Sequence, residues 1–159
     1  MVKIETKVED VSSPELQKIE KELDKLDKSY VTVGIHEDAG EYESGESVVQ
    51  VALWNEFGNE VIPERSFFRS AIDQNTEKIN SWREEAIQNV LFNGWTAEKA
   101  LEMMGFRIQL LIQNKIQSHP PPPNAPSVKE AKLKDGVAPN TLIWTGLMLR
   151  SVTYKVVIV

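Results

Sequence analysis

The chain has 159 residues, 41% of them hydrophobic and 26% charged, and a formal net charge of -6, which suits one ordinary domain with extra length for an arm. It contains no cysteine, so disulfide frameworks, thiolate zinc sites and cysteine nucleophiles are excluded. The negative charge argues against a protein that grips nucleic acid, because phosphate contacts require clustered lysine and arginine.

The sequence shows no sign of a membrane or export segment. No apolar run approaches the roughly 20 residues that span a bilayer, and no secretory signal pattern opens the chain. We therefore expect a soluble protein made in the cytoplasm, without a membrane partner.

A helix is predicted over residues 12–28. Ser12 and Ser13 offer N-cap oxygens, and Pro14 occupies the first turn, where proline loses no hydrogen bond. Apolar residues then recur at spacings of three and four, which is the helical period. They are Leu16, Ile19, Leu23 and Leu26.

A half-buried strand is predicted over residues 30–36, where apolar side chains alternate with polar ones. The acidic, glycine-bearing residues 37–47 are predicted to form a long mobile loop. Ser47 then caps a short helix that ends at Gly58, because glycine readily adopts the left-handed conformation found after helix ends.

Two long helices are predicted in the middle of the chain. The first keeps the helical period over residues 68–91, about seven turns. The second follows an N-cap at Thr96 and runs to residue 118, with Gly105 allowing a neighbouring element to approach closely. Because the link between the two is very short, we expect an antiparallel helical hairpin.

The four consecutive prolines from Pro120 to Pro123 favour an extended, stiff conformation. Residues 119–141 are therefore predicted to form an arm that packs little of its own surface, with one short helical turn that Ser127 caps. An arm of this length is usually functional or disordered.

Residues 142–159 are predicted to close the chain with a short turn and a strand. This strand and the one at residues 30–36 give at least two strands, and two alone are marginally stable. We expect a third strand from residues 3–8 or from another subunit.

These elements predict an α+β fold, in which a small antiparallel β-sheet packs against a long helical hairpin and an extended proline-rich arm projects from it. Residues 1–159 are predicted to form one domain, with residues 30–118 as its core. The aromatic-rich turn before the hairpin is the expected structural hub of that core. The hub residues are Trp54, Phe57, Gly58, Ile62, Pro63, Phe67 and Phe68.

No catalytic, cofactor or metal site is predicted. The sequence lacks a phosphate-binding glycine loop, a nucleophile elbow, an HExxH motif and a calcium loop. Its two histidines, His36 and His119, stand apart from any ligand pattern. We expect no enzyme and no cofactor; the alternatives left open are an acidic regulatory protein that mimics DNA, and a small enzyme with an unrecognised site.

Three motifs resemble one known family. Residues 53–69, LWNEFGNEVIPERSFFR, are similar to the NEFG…IPxRxFxR core of the tail-completion proteins of long-tailed bacteriophages, which are also called neck or tail-component proteins and include the lambda-like minor tail proteins. Residues 122–127 resemble the proline segment of that family. Residues 142–154 resemble its closing LxDTGxLxxSIxY motif, with Trp144 in place of the aspartate.

The resemblance covers residues 30–158 and implies a virion structural protein rather than an enzyme. Such proteins form a ring, most often hexameric, at the tail–connector junction, so the expected partners are copies of the chain and other phage neck, connector and tail proteins. DNA would pass through the lumen without specific binding, because carboxylates lining the lumen disfavour contacts with the phosphate backbone. Residues 37–47 are the candidate for the surface that lines the lumen or forms an interface. The expected location is the virion neck, after synthesis in the host bacterial cytoplasm.

Candidate subunit-interface residues lie within the three motifs. Arg65 and Arg69 are predicted to lie one helical turn apart, where they either pair with carboxylates of an adjacent subunit or remain solvated. The others belong to the proline segment and the closing motif. They are Pro122, Pro123, Asn124, Pro126, Trp144, Thr145 and Gly146.

Overall fold

The computed structural model describes residues 13–159, which form seven α-helices and two β-strands. The helices are α1 (Pro14–Lys28), α2 (Val48–Phe57), α3 (Phe68–Asp73), α4 (Thr76–Phe92), α5 (Ala97–Gln117), α6 (Pro126–Lys134) and α7 (Leu147–Ser151). The strands are β1 (Tyr30–Ile35) and β2 (Val152–Val157). This mixture confirms the predicted α+β class. The expected strand at residues 3–8 and the capping role of Ser12 lie outside the described residues.

Three helices begin at the caps that the sequence predicts. The side chains of Ser13, Ser47 and Thr96 each accept the backbone N–H three residues further on, at 3.2, 3.0 and 3.2 Å. These hydroxyls satisfy N–H groups that have no partner within the first helical turn. The starts of α1, α2 and α5 are therefore fixed by local chemistry.

The sheet pairs β1 with β2 in antiparallel fashion, so that Tyr30 lies opposite Val157 and Ile35 opposite Val152. Alternate residues of β2 are exposed, while Val152 is fully buried. One face of the sheet packs on α5. The amphipathic alternation predicted for both strands is confirmed by this arrangement.

Gly105 is the point of closest approach between α5 and the sheet. A methyl group built at this position would lie 2.6 Å from the Tyr154 ring and 2.8 Å from a methyl carbon of Val31. No side chain fits in such a gap, so glycine is required for the helix to reach the sheet. The predicted role of Gly105 is confirmed.

Two clusters of buried side chains form the core of residues 13–159. The first consists of Val48, Ala52, Phe67, Ala71, Ile112, Ile116, Met148 and Val152. The second consists of Ala86, Val90, Ala100 and Met104. Ile108 packs against both clusters, so α5 connects the sheet side of the molecule with α4.

The structure corrects the continuous helix predicted over residues 68–91. A turn at Gln74 and Asn75 divides it into α3 and α4. The side-chain amide of Asn75 donates to the carbonyl of Ala71 at 2.8 Å, and asparagine competes in this way with helical backbone hydrogen bonds. The break could not be predicted from the spacing of apolar residues, because the helical spacing continues on both sides of it.

Residues 119–141 also differ from the prediction. Helix α6 spans nine residues and begins at Pro126, ahead of the predicted Ser127 cap. Thr141 is buried, and its hydroxyl donates to the carbonyl of Pro120 at 3.0 Å. This contact shows that the segment folds back on itself. The physical reason is that proline carbonyls without strand or helix partners accept hydrogen bonds from side-chain donors.

Residues 37–47, predicted as a loop, contain local structure. A 3-10 turn spans Glu37–Ala39, and Glu41 pairs with Ser47 in an isolated antiparallel bridge. Inside this bridge the backbone N–H of Tyr42 donates to the carbonyl of Glu46 at 2.9 Å. The segment thus turns tightly and leads directly into the capped start of α2.

Candidate functional site

The carboxylate of Glu56, near the end of α2, organises the turn into α3. Its two oxygens accept the backbone N–H groups of Phe67 (2.9 Å), Phe68 (2.8 Å) and Arg69 (3.0 Å). They also accept the Ser66 hydroxyl at 2.9 Å and the Arg69 Nε–H at 2.9 Å. Glu56 is only 5% exposed, so a buried charge replaces an N-cap side chain at the start of α3.

This environment keeps Glu56 ionised. Burial alone would raise the pKa of the Glu56 carboxyl, but the backbone donors of Phe68 and Arg69, the Arg69 guanidinium and the Ser66 hydroxyl together lower it below 4.5. A buried carboxylate is stable only when donors surround it in this way. Arg69 also donates to Glu64 at 2.6 Å, so its cation is paired within its own chain.

Gly58 and Asn59 fix the turn that follows α2. Gly58 has a φ of +72°, and a methyl group added there would lie 2.8 Å from the backbone nitrogen of Glu64. The Asn59 carboxamide oxygen accepts the N–H groups of Val61 (2.9 Å) and Ile62 (2.8 Å). Only glycine combines this conformation with this close approach.

The predicted hub is divided between core and surface. Phe67 is 2% exposed within the first core cluster, and Phe68 packs against that cluster. Phe57, by contrast, is 57% exposed, and the Arg69 guanidinium lies 4.7 Å from its ring centroid. Trp54 and Ile62 line a shallow surface depression, and Pro63 is exposed. Phe57 is thus an exposed member of the hub, and it lines a surface depression with Gly34 of β1 and Phe68 of α3.

Arg65 is positioned differently from the prediction. It lies before α3 rather than on a helix with Arg69, and it is 6% exposed. Its Nε–H donates to the carbonyl of Pro122 at 2.7 Å, and its Nη2–H donates to that of Pro123 at 3.3 Å. The guanidinium thus ties the turn after α2 to the proline segment, across a gap of more than fifty residues in the sequence.

Lys132 on α6 is the second buried cation of this region, with 3% exposure. Its Nζ donates to the carbonyls of Asn140 at 2.6 Å and Ile143 at 2.5 Å, and it lies 5.5 Å from the ring centroid of Trp144. The indole N–H of Trp144 donates to an Asp135 carboxylate oxygen at 3.0 Å. Trp144 therefore contacts both Lys132 on α6 and Asp135 at the end of that helix.

Thr145 and Gly146 form the start of α7. The Thr145 hydroxyl accepts the N–H of Leu147 at 3.2 Å, and its carbonyl accepts an Arg150 Nη1–H at 3.1 Å. Gly146 has a φ of +75°, the left-handed region that favours glycine. The Thr145 hydroxyl therefore forms a turn contact just before α7, and this bond does not involve the side chain at position 144.

A groove of about 590 Å³ runs between these elements. Its walls come from residues 42–46, the end of α2 and the turn after it, the start of α6, and residues 142–148. Most of the walls are apolar, and the charged side chains that line the groove are Glu46, Arg65 and Lys132.

The groove collects part of the predicted interface set. Arg65, Asn124, Trp144, Thr145 and Gly146 line it. Arg69, Pro122, Pro123 and Pro126 are not among its lining residues. The sequence did not single out Glu56 or Lys132, because a charged residue on a helix is normally solvated and nothing local marks its burial.

Among residues 13–159, no group of three or more acidic or histidine side chains is arranged to hold a metal ion. None of the helices between Pro14 and Ser151 combines the length and apolar character needed to cross a bilayer. Neither a protein-family model, nor a curated protein sequence, nor a solved structure matches the chain.

Proposed function

We propose that the chain is a virion structural protein of a long-tailed bacteriophage, a tail-completion or head–tail joining protein that assembles as a ring at the tail–connector junction. The observation that carries this proposal is the contact between Arg65 and the carbonyls of Pro122 and Pro123, at 2.7 and 3.3 Å. Arg65 belongs to the first phage-like motif and the prolines to the second. Trp144, from the third motif, lines the same groove as Arg65. Residues of all three motifs therefore lie close together in the fold.

The surface supports an assembling protein. Within residues 13–159 several large apolar side chains are strongly exposed, which is expected where a second chain completes the packing. They include Val61, Phe92, Phe106, Leu133 and Val159. In the proposed ring, α4 and α5 act as one helical hairpin against the sheet, and the exposed prolines of residues 119–141 form the arm that reaches an adjacent subunit.

The distribution of acidic residues supports passage of DNA without binding. All five carboxylates of residues 37–47 belong to exposed residues, and Asp38 is paired with Lys155 at 2.7 Å. A lumen lined by such groups repels phosphates and lets DNA move. Residues 37–47 are therefore our candidate for the lumen-facing surface.

The proposal is tested by locating the chain in particles of the phage or induced prophage that carries its gene. We expect antibodies raised against the purified chain to label the head–tail junction in electron micrographs, and native mass spectrometry or negative-stain imaging to detect closed rings. A monomer in solution is compatible with assembly on a connector. Absence of the chain from purified virions by mass spectrometry contradicts the proposal.

A further inference from the structure

The groove contains two buried cations that no carboxylate balances. Neither Arg65 nor Lys132 forms an ion pair within residues 13–159. Glu46, the acidic residue of the groove lining, is exposed, and its carboxylate accepts a hydrogen bond from the Ser44 hydroxyl. In a chain with a net charge of -6, an uncompensated positive site is unusual.

The backbone contacts of these cations do not explain their charge. Both side chains donate to carbonyl oxygens, and a neutral amide side chain would satisfy a carbonyl without burying a charge. Burial, followed by the nearby charge of Arg65, lowers the pKa of the Lys132 ammonium. Burying these two cations without a counter-charge is therefore unfavourable in free energy in the isolated chain, and a bound anion would offset that penalty.

Each cation also retains a donor. Arg65 uses Nε and Nη2, which leaves Nη1 without a hydrogen-bond partner among residues 13–159. An ammonium group has three donors, and Lys132 uses two of them on carbonyls. Each group therefore keeps an N–H that a carboxylate would accept, and the two cations are near enough for the charge of Arg65 to contribute to lowering the pKa of Lys132.

We propose that this groove binds an extended segment of a partner protein in which one glutamate or aspartate, placed against Arg65 and Lys132, is flanked by apolar residues. The apolar walls suit the flanking side chains, with Val61 88% and Trp144 41% exposed at the groove. Walls this open suit a longer chain better than an enclosed small molecule. Nucleic acid is disfavoured, because two cations in an acidic chain release few counterions.

This inference does not use the phage assignment, since peptide binding and virion location are separate measurements. The probe is an N-acetylated, C-amidated peptide, Ser-Leu-Val-Glu-Leu-Val-Ser, carrying a neutral dye on an added cysteine, and fluorescence anisotropy measures its binding to the full chain. Matched peptides carry Gln or Lys in place of Glu. We expect the Glu peptide to bind at least about tenfold more tightly than the Gln peptide, which is about 1.4 kcal/mol.

Two substitutions locate the site. Val61→Glu places a carboxylate on the exposed groove wall and should weaken binding of the Glu peptide by about tenfold or more. Phe92→Glu is the matched control, because Phe92 is 79% exposed and lies outside the groove. Lys132→Gln keeps a donor for the carbonyls and removes one of the two cations, so it should reduce the preference for Glu over Gln to the part that Arg65 supplies; circular dichroism checks that the variant folds, and an unchanged preference contradicts the proposal.

Equal affinity for the Glu and Gln peptides overturns the proposal, as does an equal effect of Val61→Glu and Phe92→Glu. Failure of the Glu peptide to bind at millimolar concentration also overturns it. Binding of a DNA oligonucleotide in competition with the Glu peptide would assign the cations to phosphate recognition instead, and would equally reject a protein partner.

Discussion

Glu56 and Arg69 are joined by three hydrogen bonds that link the end of α2 to the start of α3. The Arg69 backbone N–H and Nε–H both donate to Glu56 Oε1, at 3.0 and 2.9 Å, and the Arg69 Nη2–H donates to the Glu56 carbonyl at 3.1 Å. One residue therefore provides both the helix-capping anion and the acceptor for the guanidinium. The angle between the two helices depends on this carboxylate.

Replacing Glu56 by alanine should destabilise the protein by about 2–4 kcal/mol. The substitution leaves the N–H groups of Phe67 and Phe68 without their acceptor in a buried region. Urea unfolding followed by circular dichroism measures the change. Glu60→Ala is the control, because Glu60 is exposed, and a loss equal to that of the control would show that the carboxylate is dispensable.

Stability should fall with acid in a window set by the lowered pKa of Glu56. The folded-state pKa lies below the usual 4.5, so the unfolded chain binds the proton first. The contribution of Glu56 is therefore complete above pH 4.5 and is lost as pH falls through the lower, folded value.

Thermal unfolding between about pH 3 and pH 7 measures this dependence. In the Glu56→Gln variant, which lacks the titrating group, the melting temperature should fall less than that of the unmodified chain as the pH is lowered over the acidic part of this range (the acid limb). Glu85→Gln is a comparison, since the Arg107 side chain lowers the pKa of a partly exposed carboxyl there. Identical acid limbs for Glu56→Gln and the unmodified chain would contradict the role assigned to Glu56.

Replacing Gly105 by alanine should destabilise the protein by about 1–3 kcal/mol, although alanine favours helix formation by about 1 kcal/mol. The added methyl would lie 2.6 Å from the Tyr154 ring, so α5 or the sheet must move. Chemical denaturation measures the loss. In a Tyr154→Ala background the same substitution should cost less, with the Val31 contact at 2.8 Å accounting for the remaining loss; an unchanged cost there would show that the Tyr154 ring is not a source of the strain.

Replacing Arg65 by lysine should loosen residues 119–141. Lysine cannot hold the carbonyls of Pro122 and Pro123 with a planar fork. We expect trypsin to cleave after Lys129 or Lys134 about tenfold faster, because local opening exposes the segment. Arg83→Lys is the control, since Arg83 is exposed, and unchanged cleavage in the Arg65→Lys variant would show that the contact does not hold the segment.

Features that depend on neighbouring residues could be predicted from the amino-acid sequence. The capping hydroxyls of Ser13, Ser47 and Thr96 mark helix starts because they satisfy N–H groups three residues away. The alternation in β1 and β2 predicted an antiparallel sheet, and Gly105 predicted a close approach. The α+β class follows from these local signals.

Which charged groups are buried depends instead on contacts between distant parts of the chain. Glu56 belongs to a motif, yet its capping role depends on backbone N–H groups more than ten residues away. Arg65 and Lys132 look like surface cations until the proline segment and residues 140–143 supply their acceptors. A buried charge is stable only through partners that folding brings together, and spacing along the chain does not encode such partners.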